Sequence, residues 1–154
     1  MSKTLILGLG NSILSDDRIG LLVAEAVYGR LNSAGTDLKL AETAGMDLIN
    51  VVKDYDNLIV IDSIKTGKME PGEVVEIMEN QNASSRMLSS HDVSFFEMLK
   101  MGKVLGLKMP QNVKIYGIEI KDNETFSEEL TDELKEKLPE IINEIYLANR
   151  ENLQ

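Results

Sequence analysis

Three aspartates and the only histidine are the residues of this sequence whose side chains could do chemistry together. Asp16 and Asp17 are adjacent, Asp62 follows Asp17 by 45 residues, and His91 follows Asp62 by 29 residues. An imidazole and two carboxylates suit a hard-to-borderline divalent cation such as zinc or nickel, with one position left open for water or substrate. No local motif has these spacings, so the residues form a site only if the fold brings their segments together.

Each of these residues also has an ordinary structural interpretation. One aspartate of the pair could cap the first helix while the other complements its dipole. Asp62 could bond a neighbouring loop, and His91 could be a solvated or capping histidine. Their joint chemistry is what favours a shared site.

Composition excludes several classes of protein. The 154 residues and 17.1 kDa indicate one domain, residues 1–154. The 16 basic and 26 acidic residues give a net charge of −10, which opposes a phosphate backbone, so we expect no nucleic-acid partner. The absence of cysteine excludes disulfides, thiolate metal sites and a cysteine nucleophile.

The sequence also gives little support for a serine nucleophile. The histidine has no serine partner in a Gly-x-Ser-x-Gly motif. The remaining hydrolytic mechanism is attack by water, assisted by a metal or a carboxylate base.

The longest apolar runs predict neither a membrane span nor a signal peptide. Residues 4–9 and 58–61 fall far short of the roughly 18 residues that suggest a spanning helix. The first run ends in Gly-Leu-Gly-Asn-Ser and not in a small-residue cleavage site. We therefore expect a cytoplasmic, monomeric protein with no membrane partner.

Strands and helices must alternate along the chain to position these residues. Apolar runs predict strands at residues 4–9, 38–42, 58–61, 73–78 and 112–120, with Asp62 directly after the third. Helical spacing predicts helices from Ile19, over residues 46–53, over 93–99 with a serine or aspartate cap, and after Thr131 as N-cap. This order predicts an α/β fold: a three-layer α/β/α sandwich of the phosphorylase/hydrolase-like type, with about five mostly parallel strands in a mixed sheet. Ligands of such sheets bind beyond the carboxyl ends of the strands.

The loop after the first strand has half of a dinucleotide-binding fingerprint. Gly8 and Gly10 fit that pattern, but Ile13 stands where a third glycine is expected. The carboxylates of Asp16 and Asp17 would repel a pyrophosphate at the helix N-terminus. Glu42, after the second strand, could imitate the ribose-binding acid. A nucleotide- or flavin-binding protein of the Rossmann or flavodoxin type therefore stays open as an alternative.

Four segments, in order and at closely matching positions, resemble the hydrogenase maturation proteases. They are Gly8-Leu9-Gly10-Asn11 through Asp16-Asp17, Thr43-Ala44-Gly45-Met46, Ile61-Asp62-Ser63 and Ser90-His91-Asp92. The resemblance implies an α/β/α sandwich and an endopeptidase that removes a C-terminal peptide from the precursor large subunit of a nickel–iron hydrogenase after nickel insertion. It also implies that Asp17, Asp62 and His91 contact the nickel and carry the catalysis.

The same resemblance implies that the nickel belongs to the substrate and is absent from the isolated enzyme. Because exposed ligands contribute little to stability, we expect substitutions at Asp62 or His91 to abolish cleavage without unfolding the protein. Arg18 departs from the glycine or alanine that many members have after the acidic pair. A non-catalytic, metal-dependent assembly factor with the same ligands is the remaining alternative.

Overall fold

A five-stranded mixed sheet forms the centre of the computed structural model, which describes residues 2–31, 33–42, 45–78 and 90–151, without the side chains of 45 and 90–94. The strand order is β2-β1-β3-β5-β4. β1 pairs in parallel with β2 and β3, β3 pairs in parallel with β5, and β4 is antiparallel to β5. The strand bounds are β1 Thr4–Leu9, β2 Thr36–Ala41, β3 Asn57–Ile64, β4 Val74–Ile77 and β5 Asn112–Glu119.

Within the residues described, four α-helices connect or follow these strands. Two of them directly follow 3₁₀ turns, Ser15–Arg18 and Gly45–Leu48. The helix bounds are α1 Ile19–Leu31, α2 Ile49–Val52, α3 Ser90–Val104 and α4 Asp132–Asn149. None of the helices in the described ranges has the length and apolar character needed to cross a bilayer.

Two separate hydrophobic clusters show that helices cover both faces of the sheet. On one face, α1 and α4 pack against Ile6, Ile59 and Ile61. On the other, α2 and α3 pack against Leu5, Leu7, Leu58 and Val60. Successive strand residues point to opposite faces, so an unbroken aliphatic run supplies both clusters at once. The predicted α/β/α sandwich with a mostly parallel sheet is confirmed.

β3 is longer than its apolar run predicts. Asp62 does not follow the strand but lies within it, because Asp62 and Ser63 continue the parallel pairing with Gly117 and Ile118 of β5. Alternation along β3 directs Asp62 to the α2/α3 face, with Val60 and Ile64, and Ser63 to the α1/α4 face.

The helix that carries His91 begins earlier than predicted. Its first residue is Ser90, so Asp92 lies inside the helix and is not its cap. Fifteen residues span about 22 Å, close to the length of an eight-residue strand. α3 leads through residues 105–111 into the start of β5, so its last turn lies at the amino end of the sheet. The first turn, with His91, therefore points towards the carboxyl end.

α4 begins as predicted, with Thr131 in the N-cap position. The Thr131 side chain makes no capping bond to its own helix. Its hydroxyl contacts Asp16 instead, so this residue joins the last helix to the loop after β1.

Candidate active site

Asp17 and Asp62, although 45 residues apart in sequence, both contact Ser63. The Ser63 hydroxyl donates a hydrogen bond to Oδ1 of Asp17 at 2.5 Å. The backbone N–H of Ser63 donates to Oδ1 of Asp62 at 2.8 Å. Parallel pairing of β1 and β3 brings the carboxyl ends of the two strands together. The Ser15–Arg18 turn begins six residues after β1 ends, so Asp17 lies near the carboxyl end of β3. The two predicted acidic site residues are therefore neighbours in the fold.

The two carboxylates differ in exposure. Asp17 is half-buried, whereas Asp62 is only 2% exposed. The expectation that these side chains are exposed is wrong for Asp62, because this residue lies inside β3, which continues to Ile64. Burying a carboxylate is costly unless hydrogen bonds compensate, so the free energy of unfolding depends on the group at position 62.

Asp16 has a different set of contacts from Asp17. It is fully buried, and its carboxylate accepts hydrogen bonds from the backbone N–H groups of Lys121, Asp122 and Thr131. The Thr131 hydroxyl is a fourth donor, at 3.0 Å from both carboxylate oxygens. All of these donors come from the segment between β5 and α4. Asp16 therefore holds the loop after β1 against that segment.

Ser15 gives the turn its unusual backbone. Its φ of 37° lies in the left-handed region, where a non-glycine residue costs about 1–3 kcal/mol. Its N–H donates to the carbonyl of Ser127 at 3.0 Å, and its hydroxyl donates to the carbonyl of Glu129 at 3.1 Å. Together with the Asp16 contacts, these bonds hold the strained turn that presents Asp17 to β3.

Gly10 and Gly20 allow the turn to lie close to the strand ends. A Cβ added at Gly20 would lie 2.6 Å from the carbonyl oxygen of Ile61 and closer still to that of Leu9. A Cβ at Gly10 would collide with the carbonyl oxygen of Asp17. Gly20 was not among the predicted site residues. Its position in the first turn of a helix that packs on parallel strands was the available signal.

Glu119 is a further buried carboxylate at the carboxyl end of the sheet, and it too was missed. It is 1% exposed and accepts hydrogen bonds from the backbone of Thr66 and Gly67 and from the Thr66 hydroxyl, the last at 2.6 Å. These contacts fix the chain where it leaves β3, immediately after Asp62 and Ser63.

The features that suggested a dinucleotide site make contacts within the protein. The backbone N–H of Ser12 donates to Glu42 at 2.7 Å, and this bond holds the pKa of the Glu42 carboxyl below its usual value. The backbone of Asn11 donates to the carbonyl oxygen of Asp17 at 3.2 Å. The glycine-containing loop thus wraps the Ser15–Arg18 turn, which is a structural reason for its composition.

A complete ligand set is not visible in the side chains that the structure describes. Within them, no three histidine, aspartate or glutamate side chains are grouped so that they could hold a metal ion. His91 is placed by its backbone in the first turn of α3, and its side chain lies outside the description. The structure places Asp17 against the residue that follows Asp62 in β3, and the roles of Asp17, Asp62 and His91 as ligands stay a prediction.

A surface cavity of about 420 Å³ lies away from these residues. Ile77, Phe96, Lys103 and Val113 are among the residues that line it. Val113 is the second residue of β5, so the cavity is at the amino end of the sheet. The carboxylates are at the opposite end, where parallel α/β sheets bind their ligands.

Comparison with known sequences supports the resemblance described above. The family model described as "HycI: Hydrogenase maturation protease" matches residues 23–148. The Hydrogenase 2 maturation protease of Escherichia coli K12 is 26% identical over 119 residues, covering 75% of this chain and 72% of the relative. The hydrogenase expression/formation protein HupD of Rhizobium leguminosarum bv. viciae is 27% identical over 145 residues, covering 91% of this chain and 70% of the relative.

Solved structures share the same fold. The hydrogenase maturating endopeptidase HybD from E. coli superposes with a TM-score of 0.77 at 23% identity, covering 97% of this chain and 93% of that one. The [NiFe] hydrogenase maturation protease HybD from Thermococcus kodakarensis gives a TM-score of 0.72 at 24% identity, covering 95% and 98%. The family match extends over most of the chain and the fold agrees with it. This chain therefore belongs to the hydrogenase maturation protease family, whose members are endopeptidases that process hydrogenase precursors.

Proposed function

We propose that this endopeptidase removes a C-terminal peptide from the precursor large subunit of a nickel–iron hydrogenase after nickel insertion. In this proposal Asp17, Asp62 and His91 contact the nickel that the precursor carries. The observation that supports it is the hydrogen bond from the Ser63 hydroxyl to Asp17, which holds this carboxylate next to the Asp62 position at the carboxyl end of the sheet, where α/β sheets bind their ligands.

The donor set fits a metal that arrives with the substrate. Two carboxylates and one imidazole suit a borderline divalent cation, but three such ligands make a weaker trap than a closed structural site. The precursor supplies the remaining coordination and the enzyme completes it. Nickel in the precursor is then part of the substrate, and its presence determines whether the peptide bond reaches the site.

We assign the cleavage to attack by water on the scissile carbonyl. The water oxygen adds to the carbonyl carbon and its proton passes to a carboxylate base; the C–N bond then breaks as the amine takes up a proton. The substrate metal, by polarising the carbonyl, is the other source of assistance. Half-buried Asp17 is the more accessible of the two carboxylates, so we place it nearer the substrate.

We also propose that the enzyme is monomeric and acts in the cytoplasm.

The decisive experiment compares two forms of the precursor. We expect the enzyme to shorten nickel-loaded precursor, with a mass loss at its C-terminus, and to leave nickel-free precursor uncut even at high enzyme concentration. Free nickel added to the enzyme should not substitute for nickel seated in the precursor. Equal cleavage of both forms would contradict recognition of nickel, and failure to cleave either form would contradict the proposed reaction.

Variants at the three residues test their roles. We expect His91→Ala, Asp62→Asn and Asp17→Ala each to abolish cleavage of the loaded precursor, whereas Asp17→Glu keeps partial activity because a longer carboxylate still reaches. Glu97→Gln, at an exposed position on the same helix as His91, is the matched control and should cleave like the wild type. Urea denaturation of each variant separates loss of function from loss of folding. Wild-type cleavage rates in the three inactivating variants would overturn the assignment.

A further inference from the structure

Two large apolar side chains are exposed beside the candidate active site. Phe126 is 80% exposed and Ile13 is 49% exposed. They belong to the two segments that meet at the Ser15–Arg18 turn, since the N–H of Ser127 donates to the carbonyl of Ile13 at 2.9 Å. Single exposed apolar residues are common on protein surfaces. These two lie on hydrogen-bonded neighbouring segments, next to the turn that carries Asp17.

The backbone around Phe126 is held firmly. Leu14 and Ser127 form a parallel bridge, and the N–H of Ser15 donates to the carbonyl of Ser127 at 3.0 Å. On the other side, the Asp122 carboxylate accepts the N–H groups of Glu124 and Thr125 and, at 2.5 Å, the Thr125 hydroxyl. A side chain presented by an ordered backbone loses less conformational entropy on binding than one on a mobile loop. This arrangement favours a binding surface.

The segment that carries Phe126 is predominantly acidic, with lysines at its edges: Lys65 Nζ lies 3.3 Å from Asn123 and Lys135 Nζ lies 3.8 Å from Glu129. Residues 122–134 include six aspartates and glutamates and no lysine or arginine. Charges of one sign on neighbouring positions attract a partner of opposite charge, and exposed charges act over about 10 Å at ordinary salt concentrations. The surface therefore combines an apolar centre with a negative margin.

We infer that Ile13, Phe126 and residues 122–133 form the docking surface for the precursor segment next to the scissile bond, and that this segment presents an apolar side chain beside basic residues. The inference rests on the proposed function. Its basis is continuity with the site: Ser15 and Asp16, which hold Asp17 in place, donate their N–H groups to Ser127 and Asp122 of this same surface. A polypeptide that reaches Asp17 from this side contacts Phe126 on the way.

Steady-state cleavage of nickel-loaded precursor tests the surface. We expect Phe126→Ser to raise KM at least tenfold with kcat little changed, and Ile13→Ser to raise it about threefold. Val104→Ser is the matched control, because Val104 is equally exposed (80%) at the end of α3, on the opposite end of the sheet. An unchanged KM in Phe126→Ser, or an equal rise in Val104→Ser, would overturn the inference.

A binding measurement separates this inference from the proposed function. Calorimetric titration of the precursor into the wild-type enzyme and into Phe126→Ser should show at least a tenfold weaker Kd for the variant. Raising sodium chloride from 50 to 500 mM should weaken wild-type binding, and Glu124→Gln with Glu128→Gln should reduce that salt dependence. Phe126-dependent binding without cleavage would contradict the proposed reaction and support the docking surface. Cleavage with Phe126-independent binding would do the reverse.

Discussion

The loop that follows β1 meets two different parts of the molecule. On one side Asp16 is enclosed by four donors from residues 121–131, and on the other Asp17 accepts a hydrogen bond of 2.5 Å from the Ser63 hydroxyl of β3. Both residues are aspartates in the same 3₁₀ turn, so residue type and local conformation cannot distinguish them. Their surroundings differ because one carboxylate is enclosed by backbone N–H groups and the other is half-exposed and bonded to the Ser63 hydroxyl of β3. Asp16 therefore holds the loop in place, and Asp17 is the aspartate of the pair that we propose contacts the substrate.

Substitution of Asp16 should have the largest effect on stability. Asp16→Ala leaves several part-buried donors without an acceptor, each worth about 1–3 kcal/mol, so we expect the free energy of unfolding to fall by roughly 3–5 kcal/mol. Asp17→Ala should lower it by about 1 kcal/mol while abolishing cleavage. Urea denaturation and cleavage assays on both variants check the contrast. Equal losses of stability in the two variants would contradict the division of roles.

This division could not be predicted from the sequence. Asp16 finds its partners 105 to 115 residues away, and Asp17 finds Ser63 46 residues away, so no local pattern reports either set of contacts. The sandwich, by contrast, was predictable. The unbroken aliphatic runs in β1 and β3 have apolar side chains on both faces of the sheet, so helices must cover both faces. The end of β3 was missed since Asp62 and Ser63 are polar, and only pairing with β5 keeps them in the strand.

Gly20 should show the next largest effect, because it sets how closely the turn approaches the strands. Gly20→Ala places a methyl group against the carbonyl oxygens of Leu9 and Ile61, which are backbone atoms that cannot rotate away. We expect stability to fall by about 2–3 kcal/mol, the cost of overpacking less the gain in helix propensity. Cleavage should fall with it, as Asp17 is displaced from Ser63. Thermal and urea denaturation measure the first effect and the precursor assay the second.

Gly29 provides a matched control for this substitution. It lies in the same helix, and a Cβ added there meets no atom within 4 Å. Gly29→Ala should therefore raise stability by about 0.5–1 kcal/mol through helix propensity alone and leave cleavage unchanged. A loss of stability at both glycines would show that the helix, and not its approach to β1 and β3, is what Gly20 supports.

Ser63→Ala should have a smaller effect and tests the mechanism of cleavage. Removing its hydroxyl deletes the bond to Asp17, and we expect a stability loss of about 1–2 kcal/mol. If water is the nucleophile, kcat/KM should fall only several-fold, because Asp17 and Asp62 both remain. Loss of cleavage as complete as in Asp62→Asn would contradict the water mechanism and indicate that the Ser63 hydroxyl itself attacks the carbonyl.

The smallest expected effect is on the titration of Asp122, whose backbone bonds to Asp16 and whose side chain closes the turn before Phe126. Bonds from the Thr125 hydroxyl and from the backbone of Thr125 and Glu124 lower the pKa of its carboxyl from 3.8 to about 2. A pKa that is lower in the folded state stabilises the turn above pH 4, and this contribution is lost as the pH falls from about 4 to about 2. We expect an NMR titration of the Asp122 carboxyl carbon to give a midpoint near 2, and Thr125→Val to move it back towards 3.8. A midpoint near 3.8 in the wild type would mean that the turn before Phe126 is not held in solution, and the ordered backbone that favours docking there would be absent.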